Sequence, residues 1–89
     1  MQRRNVAGGV QHFSVAVDGH TYDVNVRDSD AQRLAPGAAL EDLVRESFAF
    51  LLEREPAGSI LQRFDLTVIK RYFPEYPREI RRRLGGDTA

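Results

Sequence analysis

Two short runs in which apolar and polar residues alternate, followed by one long run at helical spacing, set the plan of this chain. The first two lie in HFSVAVDGHTYDVNV, residues 12–26. Asp18-Gly19 between them predicts a two-residue hairpin loop, because such loops need positive φ at both turn positions. That loop pairs Val17 with His20, Val15 with Tyr22 and Phe13 with Val24, and paired residues share a face of the sheet. The apolar members then fall on one side, with Ser14, Ala16, Thr21, Asp23 and Asn25 on the other. A slip of one residue would destroy this agreement. His20 is placed on the apolar face beside the turn and His12 opposite Asn25 on the polar face, so the two cannot share a metal.

The helical run is AALEDLVRESFAFLLERE, residues 38–55. Leu40, Leu43, Val44, Ser47, Phe48 and Leu51 recur at three- and four-residue intervals. Glu41 and Asp42 in the first turn favour the helix dipole, and Pro56 and Gly58 end the run. With Phe50 and Leu52 added, the apolar arc spans roughly 200°, about twice that of an ordinary surface helix. One part can pack on the hairpin, leaving the rest for the C-terminal helices or another subunit.

Shorter elements surround these. Residues 1–9 lack periodicity and read as a flexible lead-in; residues 10–85 read as one small domain, and residues 86–89 as a flexible tail. Ser29 with Gln32 resembles a capping box for a brief helix that Pro36-Gly37 stops. Ser59 with Gln62 marks another such start, in SILQRF. Asp65 is placed to cap a helix over LTVIKRYF, ended by Pro74. Pro77 suits the first turn of a last helix running to Leu84, with Gly85 as its stop. The fold class predicted is α+β: an N-terminal two-stranded antiparallel hairpin packed on a central amphipathic helix, followed by two or three short C-terminal helices.

Composition narrows the function classes. The chain has 89 residues, no cysteine, 42% hydrophobic and 29% charged residues. A fold this small is marginal, so self-association is a natural supplement. A lone hairpin is also marginal, which suggests a homodimer joining two hairpins into a four-stranded sheet. Thirteen basic and thirteen acidic residues balance overall. The balance is uneven, however: residues 18–55 hold nine acids and four bases, and residues 63–84 seven bases and three acids. No apolar run reaches the about 18 residues that span a bilayer, and the start lacks the apolar stretch of a secretory signal, so a soluble cytoplasmic protein without membrane attachment is expected.

Candidate chemistry is sparse. Ser14, Ser29, Ser47 and Ser59 lie at strand, cap or apolar positions with no oriented base beside them. No glycine-rich phosphate loop or calcium-loop spacing is present, and a chain this short offers little room for a pocket of about 300 Å³. No catalytic, metal-binding or cofactor-binding residue is assigned, and the chain is read as a non-enzyme.

YDVNVRDSDAQRLAPGAALEDLVRESFAFLLERE, residues 22–55, resembles the strand, helix, turn, helix order of ribbon-helix-helix repressors, and LEDLVRESFAFLLERE looks most like their second helix. The resemblance implies a strand that pairs with its two-fold mate in the DNA major groove, and an antitoxin-like role. Here the first helix is shorter and the strand already has a partner within its own chain. Asp23 also stands where a groove reader favours Arg, Lys or Asn. A β-grasp fold likewise opens on a hairpin and a helix, but no further strand is legible after Pro56.

The function expected is therefore a small non-catalytic protein-interaction module, an adaptor or antitoxin-like regulator, self-associating through the hairpin edge or the wide helix face. Phe50, Leu52, Tyr72 and Tyr76 are its candidate contacts. The alternative is nucleic-acid binding through Lys70, Arg71, Arg78, Arg81, Arg82 and Arg83, and a third is a subunit that completes another chain's active site.

Overall fold

The computed structural model describes residues 1–85, with the backbone alone at residues 5–7; the tail expected at residues 86–89 lies outside the described residues. It is an α+β fold with one mixed four-stranded sheet in the order β1-β2-β3-β4. The strands are β1 Gln2–Ala7, β2 Val10–Val17, β3 His20–Arg27 and β4 Arg63–Asp65. Between β3 and β4 run α1, Asp28–Leu34, and α2, Leu40–Arg54; α3, Ile69–Tyr72, and α4, Tyr76–Arg83, follow.

The β2–β3 hairpin has the register that its alternation dictates, with Phe13 opposite Val24, Val15 opposite Tyr22 and Val17 opposite His20. Asp18 and Gly19 turn the chain at φ 49° and 80°, left-handed values that Asp tolerates and Gly adopts freely. Phe13, Val15, Tyr22 and Val24 are buried together in the core. The α2 helix lies against this face, its Phe48 ring 5.3 Å from that of Tyr22.

The sheet has two strands beyond the hairpin. Residues 2–7, expected as a flexible lead-in, form β1, which pairs antiparallel with β2 through a turn at Gly8-Gly9. Its first four residues, Gln2 to Asn5, are polar, and a register irregularity falls between Asn5 and Ala7, so the strand shows no alternation of its own and is organised by its ladder with β2. The second addition, β4, runs parallel to β3, with Phe64 opposite Val24. Residues 60–64, expected as a short helix started by Ser59, form no helix: residues 60–62 are irregular and Arg63–Asp65 is the strand. Phe64 is buried, and the Asp23 amide donates to the Gln62 carbonyl at 2.8 Å, so sheet pairing wins over the weak helical signal of SILQRF. The hairpin is thus closed on both sides within one chain, and the four-stranded sheet expected from two copies is built by one.

The expected side-chain caps are not made. Arg27 occupies the N-cap of α1, and Asp65, though at the N-cap of the 3-10 turn Leu66–Val68, makes no side-chain cap hydrogen bond. The ends set by Pro77 and Gly85 stand where expected: Pro77 lies in the first turn of α4, and Gly85 follows it at φ 88°.

The wide apolar arc of α2 serves two partners. Phe48 faces the sheet, with the Phe64 ring 6.0 Å away. Phe50, two residues on and so about 200° around the helix, meets Tyr76 at 5.3 Å and Phe73 at 5.9 Å, edge-on in both cases.

A candidate docking groove beside the fourth strand

The floor of the groove comes from three elements that the core positions. Leu51 lies in the last turns of α2, Ile60 and Phe64 in the stretch that becomes β4, and Ile69 opens α3; all four are buried. Between them is an open groove of about 290 Å³. Leu61 and Tyr72 stand on its rim, 48% and 64% exposed. Of the four large hydrophobic residues exposed among the described residues, these two line the groove, while Met1 and Leu52 do not. Glu55 is the one charged residue in the lining. The expectation of little room for a pocket of about 300 Å³ is corrected: this groove nearly reaches that size, and two open hollows, one lined by His20 and Gly58 and one by Arg4 and His12, measure about 410 Å³ each.

The four contact candidates divide evenly. Tyr72 is on the groove rim and Leu52 is exposed on α2 outside the groove, whereas Phe50 and Tyr76 have no exposed surface. As contacts these two are corrected to core residues. The edge of the helix arc that Phe50 marks is roofed by α4, and the Arg54 guanidinium lies over the Phe50 ring at 3.6 Å from its centroid. Tyr76 inserts its hydroxyl beside Ser47 at 2.7 Å. Burial pushes the Tyr76 hydroxyl well above the ordinary tyrosine value, with the Ser47 hydrogen bond opposing the shift.

Comparisons with known proteins add no relative. No family model, curated protein or solved structure matches the chain. The ribbon-helix-helix resemblance fails on topology as well, since the strand that would pair with a two-fold mate, β3, is flanked by β2 and β4.

The six basic candidates also separate. Arg83 is a clasp: it donates to both Glu53 carboxylate oxygens, at 2.6 and 2.7 Å, and to Glu79 at 3.2 Å. Arg82 pairs with Glu79 as well. The Arg83 hydrogen bond holds the Glu53 carboxyl below its usual range, and Arg82 first and then Arg83 do the same for Glu79. Lys70, Arg71, Arg78 and Arg81 are exposed and have no carboxylate partner among the described residues. On the sheet's outer face, the His12 ring meets Asp23 at 3.1 Å and Arg63 approaches the same carboxylate at 3.9 Å. No cluster of three or more His, Cys, Asp or Glu among the described residues could hold a metal ion. No helix there is long and apolar enough to cross a membrane.

Sequence reasoning missed Leu61, which lies within SILQRF, a segment read as the start of a helix.

Proposed function

We propose that this chain is a non-catalytic protein-interaction module that holds an extended apolar segment of a protein partner along β4 and in the adjoining groove. One observation carries the reading: a core-lined groove lies uncovered beside a sheet edge, with Leu61 and Tyr72 exposed on its rim. In a parallel ladder alternate residues face the neighbouring strand, so the Gln62 carbonyl points to β3 and the backbone groups of Arg63 point away from it. A partner strand added there gains main-chain hydrogen bonds, and its alternate side chains enter the groove. The same groove serves an adaptor or an antitoxin-like regulator, which also grips a partner segment. Self-association through the hairpin would meet β1 along β2 and β4 at Asp23–Asn25 of β3, and the outer edge of β1 is the longest left open.

The test is selection of extended peptides from a display library against the intact chain, followed by anisotropy titration and NMR mapping. Peptides that shift Leu61, Val68 and Tyr72 and lose about 2 kcal/mol, roughly thirtyfold, on Leu61→Asp or Tyr72→Ala support the reading. Selected peptides that bind both variants unchanged overturn it. Association of the chain with itself, quenched by Leu61→Asp, would make a second copy the occupant.

Nucleic-acid binding remains the second reading, favoured by the four C-terminal cations without carboxylate partners. It requires affinity for DNA or RNA at low salt that falls steeply as salt rises.

A further inference from the structure

Away from the groove, α1, α3 and α4 enclose a cleft of about 170 Å³. Arg33, Lys70 and Arg81 line it with Asp30 and Thr67, and Tyr76 and Pro77 add an apolar wall. Three cations thus face one carboxylate, and that carboxylate is already engaged by Arg33. Elsewhere several arginines are matched to acids, as Arg3 is to Glu41, Arg45 to Asp42 and Arg54 to Glu75, while Arg71 and Arg78 stand apart without a carboxylate among the described residues and line no shared cleft with another cation.

The donors are positioned as well as numerous. Arg81 donates one guanidinium N–H to the Arg33 carbonyl at 3.1 Å, which pins it across the end of α1. A guanidinium carries five N–H donors, so Arg33 and Arg81 each keep donors to spare. Lys70 and the Thr67 hydroxyl have no partner among the described residues. A small cleft rich in donors and poor in acceptors matches an oxyanion; the planar arginine fork fits carboxylate and phosphate oxygens alike, and three cations together favour the doubly charged one.

We propose that this cleft binds a single phosphate dianion, free or carried as a small monoester, through Arg33, Thr67, Lys70 and Arg81. The volume is well below the about 300 Å³ of drug-sized sites, which suits one tetrahedral group with its carrier projecting into solvent. The inference is independent of the docking groove.

The experiment is a ¹H–¹⁵N NMR titration of the whole chain with inorganic phosphate, then with O-phosphoserine, chloride being adjusted to hold ionic strength constant. Saturable shifts centred on Thr67, Lys70 and Arg81 are expected, with affinity about tenfold weaker in Lys70→Ala and in Arg81→Ala, and unchanged in Arg71→Ala. Saturation by both ligands supports a site open to monoesters, and saturation by phosphate alone supports a site for the free ion. Linear shifts without saturation, or shifts spread equally over Arg71 and Arg78, overturn the proposal. So does a single-stranded oligonucleotide that binds more tightly than either ligand with the same loss in the variants, because the cleft would then read a phosphodiester backbone. All three variants are at exposed positions, and circular dichroism verifies that each is folded.

Discussion

Ser47 and Tyr76 form a buried polar pair whose proton assignment follows from counting. The Ser47 hydroxyl has one proton, and it goes to the Leu43 carbonyl 2.6 Å away. The Tyr76 O–H must therefore donate to the Ser47 oxygen. Ser47→Ala strands the tyrosine proton in the core and should cost about 1–3 kcal/mol in urea unfolding. Tyr76→Phe leaves Ser47 bonded to its own helix and should cost about 1 kcal/mol. Alkaline pH separates the variants further. The folded state holds Tyr76 neutral above its ordinary pKa of about 10, while the unfolded chain ionises there. Its contribution is complete below that pH and is lost as pH rises beyond it. Tyr22 is raised in the same direction, by burial and then by Asp18. Stability that falls as steeply above pH 10 in Tyr76→Phe as in the native chain would contradict the assignment.

At the scale of elements, α4 is held on α2 by Ile80 and Tyr76 inside the core and by Arg83 at the surface. The ion pair of Arg83 with Glu53 is exposed on the carboxylate side, and that with the half-buried Glu79 lies within α4, so their worth in holding α4 on α2 is modest. Their pH signature is nonetheless specific. Both carboxyls are depressed in the folded state, so their contribution is full above the ordinary carboxylate pKa of about 4.3 and disappears as pH falls through the folded values. Arg83→Met should therefore be less stable than the native chain at neutral pH, with the difference closing in acid. Thermal unfolding between pH 7 and pH 2 measures it; a constant difference would mean that Arg83 acts by packing its alkyl stem and not by charge.

Over the whole molecule, the four-strand sheet manages its edges. Strand β1 covers β2 and presents Arg3 and Arg4 along its length, and charged residues discourage edge-to-edge pairing. Arg3 also reaches across to Glu41 of α2 at 3.1 Å, tying the strand to the helix layer. Deleting residues 1–8 should bare the β2 edge and yield concentration-dependent association in light scattering, where the intact chain shows less. A deletion variant that is folded and no more associated than the intact chain would show that β1 does not guard that edge.

The hairpin and the central helix were legible because each follows from a local rule. Asp18-Gly19 selects the turn, alternation selects the face, and three- and four-residue spacing selects the helix. Even the width of the α2 arc announced that Phe48 and Phe50 need different partners. Nothing local announced β1 or β4. β1 opens on four polar residues with no alternation to read, and its one local signal, Gly8-Gly9, is equally common in loose chain ends. A three-residue strand such as Arg63–Asp65 has no period to read; it forms because β3 offers unpaired backbone groups and the core has room for Phe64. The groove and the phosphate cleft have the same origin. Local preference can say which face of an element is apolar or charged, but whether that face is covered depends on where distant segments come to rest. That is why Phe50 and Tyr76 became core while Leu61 and Tyr72 were left outside.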